Sequence, residues 1–164
     1  MKILLAVDDS DASEKAVRHV GEIFGSGGRH VQITLYHAME SLPEFLVSRI
    51  TGPQVKEEYR AVAQDWLTDS RQKARELLAD YQQKLVSAGI PAAAVDTKIA
   101  EVEAMPGAQK VVAAVAIIEE MKQGEYAIIC LGRRGSSEMF SVFPGSVAEK
   151  VLRQAADKIV WIVD

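Results

Sequence analysis

The sequence predicts an α/β protein with a doubly wound, five-stranded parallel sheet and helices on both faces of that sheet. Short apolar segments alternate with segments of helical periodicity, which is typical of successive strand-helix units. Two of the predicted strands, at 2–8 and 126–132, are apolar without interruption, as strands covered on both faces are. A length of 164 residues suits a single domain, which we expect to span residues 1–164.

The first three elements follow one another closely. The run "KILLAVD" at 2–8 predicts a central strand that ends in an acid. A helix follows, with Ser10 or Asp11 as its N-cap and "GSGG" at 25–28 as its end. The apolar face of that helix is formed by Ala16, Val17, Val20, Ile23 and Phe24. The alternating segment "VQITLYH" at 31–37 predicts the second strand.

The middle of the chain predicts a long amphipathic helix. Residues 40–53 contain two prolines and a glycine, which favour irregular structure with at most a helical turn. The segment 54–87 then has helical periodicity, interrupted at most near "TDS" at 68–70, and Gly89 is a suitable terminator. Its apolar stripe is formed by Val55, Tyr59, Val62, Trp66, Leu77, Tyr81 and Leu85.

The last third of the chain supplies the remaining strands and helices. The expected elements are a third strand at 94–100, a helix from Pro106 through Val112, Val115, Ile118 and Met121 to Gly124, a fourth strand at 126–132, a helix from Ser146 to about Ala156, and a last strand at 158–164. The uninterrupted first and fourth strands are the candidates for the sheet centre. If they are neighbours, the winding direction reverses between them, and ligands of such sheets bind at that switch point. Asp8 then lies beside Gly132.

A glycine-rich segment, "GRRGSSEMFSVFPGS" at 132–146, follows the fourth strand. Ser146 and Glu149 have the spacing of a capping box at the start of the next helix. A glycine turn and a helix N-terminus together present unpaired amides, which suits a phosphate group. The alternative is that the glycines only turn the loop and that the helix start has no ligand. The two common phosphate motifs, G-x-x-x-x-G-K-[ST] and a G-x-G-x-x-G after the first strand, do not occur.

Composition argues against several classes of protein. The net charge is −4 with a pI near 5.5 and no block of like charge, so we expect no nucleic-acid partner. The apolar run at the N-terminus is too short for a secretory signal, and we expect a cytoplasmic protein without a membrane segment. Cys130 lies in an apolar strand and is expected to be buried and inert. Three isolated histidines give no zinc-ligand spacing.

The glycine segment resembles the adenine-nucleotide-binding branch of the universal stress protein family. The G-x2-G-x9-G-[ST] motif of that branch is present as Gly132, Gly135, Gly145 and Ser146. "ILLAVDDSDAS" resembles the first strand and acidic turn of the family, and "VQITLYHAME" resembles its second strand. The resemblance covers the whole chain and implies a Rossmann-like sheet with strand order 3-2-1-4-5. It implies ATP, ADP or AMP as the ligand, together with Mg²⁺.

The resemblance also implies a set of site residues and no catalytic residue. Asp8 would contact the ribose or a phosphate-bound Mg²⁺, and the main chain of Ala38, after the second strand, would contact adenine. The implied nucleotide-binding residues are Ala6, Val7, Asp8, Ala38, Leu131, Gly132, Arg133, Gly135, Gly145, Ser146, Val147 and Ala148. Two positions depart from the family pattern. Asp9 stands where glycine is usual, and Arg133, in place of a small hydroxyl residue, would either clamp or crowd the phosphates.

Three functions remain open on this reading. The first is an ATP-binding module that regulates a partner or its own association in a stress response, with weak or no hydrolysis. The second is an interaction protein that has the fold without the nucleotide. The third is a slow ATPase or autophosphorylating protein, with Ser136, Ser137 or Ser141 as the acceptor. The apolar last strand, Ile159–Val163, is expected to form a homodimer as an edge strand, with Trp161 in the interface or in the core.

Overall fold

In the computed structural model of the protein, five parallel strands form one sheet in the order β3-β2-β1-β4-β5. The structure describes residues 1–26, 30–39, 42–51, 57–102, 109–133, 145–155 and 157–164. The elements are β1 (Lys2–Ala6), α1 (Asp11–Phe24), β2 (Gln32–Met39), α2 (Glu44–Thr51), α3 (Glu57–Ser87), β3 (Val95–Glu101), α4 (Gln109–Gln123), β4 (Ile128–Gly132), α5 (Ser146–Gln154) and β5 (Ile159–Val163). The predicted doubly wound fold is confirmed.

The central position of β1 and β4 explains their uninterrupted apolar sequences. β1 pairs with β2 on one side and with β4 on the other. Ile3, Leu4 and Leu5 are fully buried, and so are Ile129 and Cys130. Consecutive residues of a strand point to opposite faces, so complete burial of neighbours requires cover on both sides of the sheet.

Two hydrophobic clusters provide that cover. Residues of α1 and α3, among them Val17, Val20 and Leu85, pack on one face of the sheet. Residues of α4 and α5, among them Ile117 and Val151, pack on the other face. The helices therefore lie on both faces, as predicted.

The helices in the middle of the chain differ from expectation at several points. Residues 44–51 form the helix α2, where irregular structure was expected, because Pro43 precedes the first turn and leaves the following residues able to bond helically. α3 is continuous through 68–70, where a break was considered. Val62 and Val115 were assigned to apolar faces but are 50% and 44% exposed. Pro106, the predicted start of the helix α4, lies outside the described residues.

The end of α3 is formed as the sequence predicts. Gly89 has φ +104°, a left-handed conformation that glycine adopts without a steric penalty. Its amide donates to the carbonyl of Val86 at 3.0 Å, and the amide of Ile90 donates to that of Leu85 at 3.2 Å. This pair of bonds is a Schellman motif, which satisfies the last carbonyls of the helix.

An ion pair between the exposed Lys98 and the buried Glu120 joins β3 to α4. Glu120 is 8% exposed, and its carboxylate accepts a hydrogen bond from the hydroxyl of Tyr126 at 2.7 Å and another from the ammonium of Lys98. Burial acts to raise the pKa of Glu120, but the hydrogen bonds from Lys98 and Tyr126 outweigh it and hold the pKa below its ordinary value. The otherwise polar strand β3 is thus attached to the apolar cluster beneath it.

β5 forms one edge of the sheet. Trp161 packs inward against the cluster of α1 and α3, stacked on Phe24 with ring centroids 6.0 Å apart and edge-on to His19 at the same separation. A core contact is therefore established for this tryptophan. None of the described helices has the length and apolar character needed to cross a bilayer.

Candidate functional site

The carboxyl ends of β1 and β4 lie side by side at one edge of the sheet. Ala6, the last residue of β1, is paired with Leu131 of β4. The chain beyond β1 therefore leaves the sheet next to Gly132, at the switch point where the winding direction reverses. Because β1 ends at Ala6 and not at residue 8, Asp8 belongs to the turn that leads into α1.

Two serines from the start of α1 hold the side chain of Asp8. Its Oδ1 accepts hydrogen bonds from Oγ of Ser13 at 2.6 Å, from the amide of Ser10 at 3.1 Å and from Oγ of Ser10. Oγ of Ser13 accepts in turn from the amide of Asp8 at 2.9 Å. In the described part of the chain, no donor reaches Oδ2. Oδ1 is thus bonded to the start of α1, whereas Oδ2 could accept a hydrogen bond from a ligand or coordinate a cation.

The main chain beside Asp8 is fixed by two neighbouring elements. The amide of Val7 donates to the carbonyl of Tyr36 at 2.9 Å, and the carbonyl of Val7 accepts from Nδ1 of His37 at 2.8 Å. The carbonyl of Asp8 accepts from the hydroxyl of Tyr81 in α3 at 3.0 Å. Burial raises the pKa of Tyr81 to about 12, so this hydroxyl keeps its proton at neutral pH.

The start of α5 presents backbone donors that no side chain caps. Its N-cap is Gly145, with φ −58° and ψ 160°, and among the described residues no side chain caps the first turn. The capping box expected for Ser146 and Glu149 is therefore wrong. Ser146 is the first helical residue, and the carboxylate of Glu149 accepts from Arg153 at 2.8 Å. Both serine and glycine are acceptable N-caps, and only the backbone angles distinguish them.

Three amides of that first turn lack an acceptor. The first bond of the helix runs from the amide of Glu149 to the carbonyl of Gly145 at 2.9 Å. In the part of the chain that the structure describes, the N–H groups of Ser146, Val147 and Ala148 have no hydrogen-bond partner. These donors carry the positive end of the helix dipole, and an anion is their natural acceptor.

Gly132 is required by packing against α1. A Cβ atom at this position would lie 2.7 Å from Cβ of Ala12 and 2.9 Å from its carbonyl carbon. Such distances are below any normal carbon contact, so the first glycine of the motif allows the N-terminus of α1 to approach β4. The space at Gly132 is therefore occupied by Ala12 of α1 and not by a ligand.

Arg133 connects β5 with the start of α5. Its amide donates to the carbonyl of Val163 at 2.6 Å, and its carbonyl accepts from the amide of Gly145 at 2.7 Å. Its guanidinium forms an ion pair with Asp164 at 2.5 Å. The expectation that free amides converge here is therefore incorrect for Arg133 and Gly145, whose N–H groups are bonded internally.

The amino-acid sequence was compared with models of known protein families. The model of the universal stress protein family matches residues 1–163. The chain belongs to the universal stress protein family. Among curated proteins, no sequence matches the chain.

Solved structures of universal stress proteins have the same fold. UspA from Lactobacillus plantarum superposes with a TM-score of 0.68 at 17% identity, covering 100% of this chain and 97% of the other. A universal stress protein in complex with cAMP gives 0.63 at 19% identity, over 100% of this chain and 97% of the other. A universal stress protein from Archaeoglobus fulgidus in complex with dAMP gives 0.60 at 19% identity, over 100% of this chain and 98% of the other.

The structure brings most of the site residues implied by this family to one edge of the sheet, but it buries several. Ala6, Val7, Leu131 and Ala148 belong to the two hydrophobic clusters and are at most 6% exposed. Their side chains fill the core, so any contact with a ligand involves the main chain. Ala38 was expected after the second strand, but it lies within β2, paired with Ala100.

The remaining predictions concern the loop residues, metal binding and Cys130. Gly135, Ser136, Ser137 and Ser141 lie outside the described residues. No group of three His, Cys, Asp or Glu side chains that could hold a metal occurs within the described ranges. Cys130 is fully buried, as expected, and burial raises its pKa to about 12, so it stays a thiol at neutral pH.

Sequence reasoning missed three residues that hold the Asp8 turn, namely Ser13, His37 and Tyr81. A signal existed for Ser13. It precedes Ala16 and Val17 by three and four residues and therefore lies on the apolar face of α1. A hydroxyl on such a face needs a partner within the protein. Tyr81 gave no comparable signal, because its place on the apolar stripe of the predicted helix 54–87 already explains why it is buried.

Proposed function

We propose that the chain binds an adenine nucleotide, ATP, ADP or AMP with Mg²⁺, where β1 and β4 leave the sheet. The observation that carries this proposal is the first turn of α5, where the amides of Ser146, Val147 and Ala148 lack an acceptor in the described part of the chain. The complexes of relatives with cAMP and dAMP support an adenine nucleotide as the anion. Occupancy of the site would regulate a partner protein or self-association, with weak or no hydrolysis.

The two sides of the site suit different parts of a nucleotide. A helix N-terminus contributes about 0.3–1 kcal/mol to binding an anion, whereas micromolar affinity corresponds to about 8 kcal/mol. Phosphate contacts therefore need help from the nucleoside. Asp8 has one carboxylate oxygen available for a hydroxyl donor such as ribose, or for a phosphate-bound Mg²⁺. The phosphates would lie at α5, and the nucleoside would lie between the ends of β1 and β2.

The experiment removes one amide without disturbing the helix. Ser146 is the first helical residue and follows Gly145 at ψ 160°, a conformation that a residue before proline adopts readily. Proline is favoured at the first position of a helix because its missing N–H is not needed there. Ser146→Pro should therefore fold like the wild type while lacking one phosphate donor. Ser146→Ala is the matched control, because it loses the hydroxyl and keeps the amide.

Isothermal titration calorimetry with MgATP, MgADP and adenosine provides the measurement. The helix N-terminus contributes about 0.3–1 kcal/mol, so Ser146→Pro should bind MgATP and MgADP up to about fivefold more weakly than Ser146→Ala does. Adenosine has no phosphate and should bind all forms alike. Equal affinity of the proline and alanine variants for MgATP would contradict a phosphate site at α5.

A second candidate function is an interaction protein of the same fold without nucleotide. It is favoured by the internal bonds of the Arg133 and Gly145 amides, by the pairing of Arg133 with Asp164, and by the exposed negative charge of Asp9. Heat-denaturing the purified protein and chromatographing the supernatant tests for carried nucleotide. Release of ATP, ADP or AMP supports the binding module. No release, followed by no heat on titration with MgATP, supports the interaction protein.

A further inference from the structure

The serine pair at the start of α1 is bonded to Asp8 more extensively than helix capping requires. Ser10 is the N-cap, and its Oγ accepts from the amide of Ser13 at 3.2 Å, which is sufficient to cap the helix. Oγ of Ser10 nevertheless also donates to Oδ1 of Asp8, and Oγ of Ser13 donates to the same oxygen at 2.6 Å. With the amide of Ser10 at 3.1 Å, three donors converge on one carboxylate oxygen.

Ser13 determines where the carboxylate of Asp8 lies. Its side chain is 3% exposed, so water cannot replace its partners. Its Oγ bonds both to the amide of Asp8 at 2.9 Å and to the carboxylate of Asp8, which closes a ring between main chain and side chain. The main chain of Asp8 is itself fixed by the hydroxyl of Tyr81 at 3.0 Å. The carboxylate therefore has one orientation before any ligand arrives.

That orientation distinguishes the two carboxylate oxygens. Oδ1 accepts all the bonds from α1, and Oδ2 has no donor in the described part of the chain. A half-buried side chain that is already ordered does not lose rotamer freedom when a ligand binds, and that loss otherwise weakens binding. The arrangement would help binding only if Oδ2 is the atom that meets the ligand.

We propose that Ser13, assisted by Ser10, is a positioning residue of the nucleotide site, which holds Oδ1 of Asp8 so that Oδ2 is presented to the ligand. This inference rests on the proposed function. Neither serine needs to touch the nucleotide, because each acts through the carboxylate. The inference requires that the contribution of Ser13 to binding depends on Asp8.

A double-mutant cycle in nucleotide affinity tests this dependence. The variants are Ser13→Ala, Asp8→Ala and the double variant, each titrated calorimetrically with MgADP. Ser13→Ala should weaken MgADP binding about threefold to tenfold, the range expected when one immobilised side chain regains its freedom. Asp8→Ala should weaken it further. Adding Ser13→Ala to Asp8→Ala should produce no additional loss of affinity.

Two further variants separate positioning from general loss of stability. Ser10→Gly keeps an acceptable N-cap residue but removes both the hydroxyl donor to Asp8 and the acceptor of the Ser13 amide. It should fold with little loss of stability and lose affinity by a smaller factor than Ser13→Ala. Ser48→Ala removes an exposed hydroxyl that bonds to the carbonyl of Phe45 in α2, and it should bind MgADP like the wild type. Unfolding in urea is measured for every variant.

The outcomes distinguish failure of this inference from failure of the proposed function. If the wild type binds neither MgATP nor MgADP nor AMP, the nucleotide site itself is refuted. If the wild type binds and Ser13→Ala weakens binding by the same factor with and without Asp8, the serine acts on the fold and the positioning role is overturned. If Ser10→Gly and Ser13→Ala both bind MgADP like the wild type, the positioning role is also overturned.

Discussion

Gly132 is the first glycine of the glycine-rich segment, and the structure explains it by packing. The sequence correctly indicates that something approaches this glycine closely. The structure identifies the approaching group as Ala12 of α1, the helix whose first turn holds Asp8. The proposed ligand contact of Asp8 therefore depends on this packing, because α1 can hold Asp8 only if β4 leaves room for it.

Gly132→Ala should destabilise the fold. The added methyl group would lie 2.7 Å from Cβ and 2.9 Å from the carbonyl carbon of Ala12, so helix or strand must shift. Overpacking of this kind costs about 1–3 kcal/mol in the free energy of unfolding, which urea denaturation measures. A variant with unchanged stability would show that β4 and α1 are not in close contact.

Individual residues of the site were predictable where the chemistry is local. The cap of α1 at Ser10 and the terminator of α3 at Gly89 follow from side-chain and backbone preferences of a few neighbouring residues. The cap of α5 was assigned one residue too late because Ser146 and Gly145 are both good caps. The bond of Tyr81 to Asp8 joins residues far apart in the chain, and a single sequence does not reveal it.

At the scale of elements, strands were predicted better than helix faces. All five strands were located, because short uninterrupted or alternating apolar runs between turn residues are typical of strands. Val62 and Val115 were predicted to lie on apolar helix faces, but both are exposed. Along the 31 residues of α3, the buried residues are Ala63, Ala74, Leu78, Tyr81 and Leu85. Periodicity predicts that a helix has an apolar side, but neighbouring elements decide how much of that side is covered.

The ion pair between β3 and α4 should make the stability depend on pH. The folded pKa of Glu120 is lowered, so its charge stabilises the protein fully above pH 4.5, the ordinary value, and this stability is lost as the pH falls through the lower folded value. Glu120→Gln should cost about 2 kcal/mol of unfolding free energy at neutral pH, because hydrogen bonds to a buried charge are lost.

The same variant should differ less from the wild type near pH 3, where glutamate is becoming protonated in the wild type as well. Denaturation in urea at both pH values measures the difference. Glu119→Gln is the control, since Glu119 is the preceding residue of α4 and is exposed, and it should change stability little at either pH. An equal loss for Glu120→Gln at both pH values would show that the charge does not contribute.

At the scale of the whole molecule, the apolar sequences of β1 and β4 predicted their central position, whereas the full strand order was implied by the resemblance to the family. The first and fourth strands are uninterrupted and central, as predicted. β5 is equally apolar and yet lies at an edge, so an apolar sequence alone does not identify the centre. The two edges differ in character. β3 contains Asp96, Lys98 and Glu101, which discourage pairing with another chain, whereas β5, Ile159–Val163, contains no charged residue.

We expect the chain to form a homodimer through β5. Sedimentation equilibrium at micromolar concentration should give the mass of two chains. Ile159 is 56% exposed, and Ile159→Lys should shift the equilibrium to one chain because a lysine on an edge strand opposes pairing. Thr97→Lys, at an exposed position of the other edge strand, should leave the dimer intact. A wild-type mass of one chain would contradict this prediction.

The two main-chain bonds of Arg133 have a mechanical consequence. Its amide is attached to the last residue of β5, and its carbonyl is attached to the residue that begins α5. The backbone of Arg133 thus connects the edge strand β5 directly to the N-terminus of α5. Displacing that edge, for instance by adding a sixth strand, would therefore act directly on the backbone that begins α5.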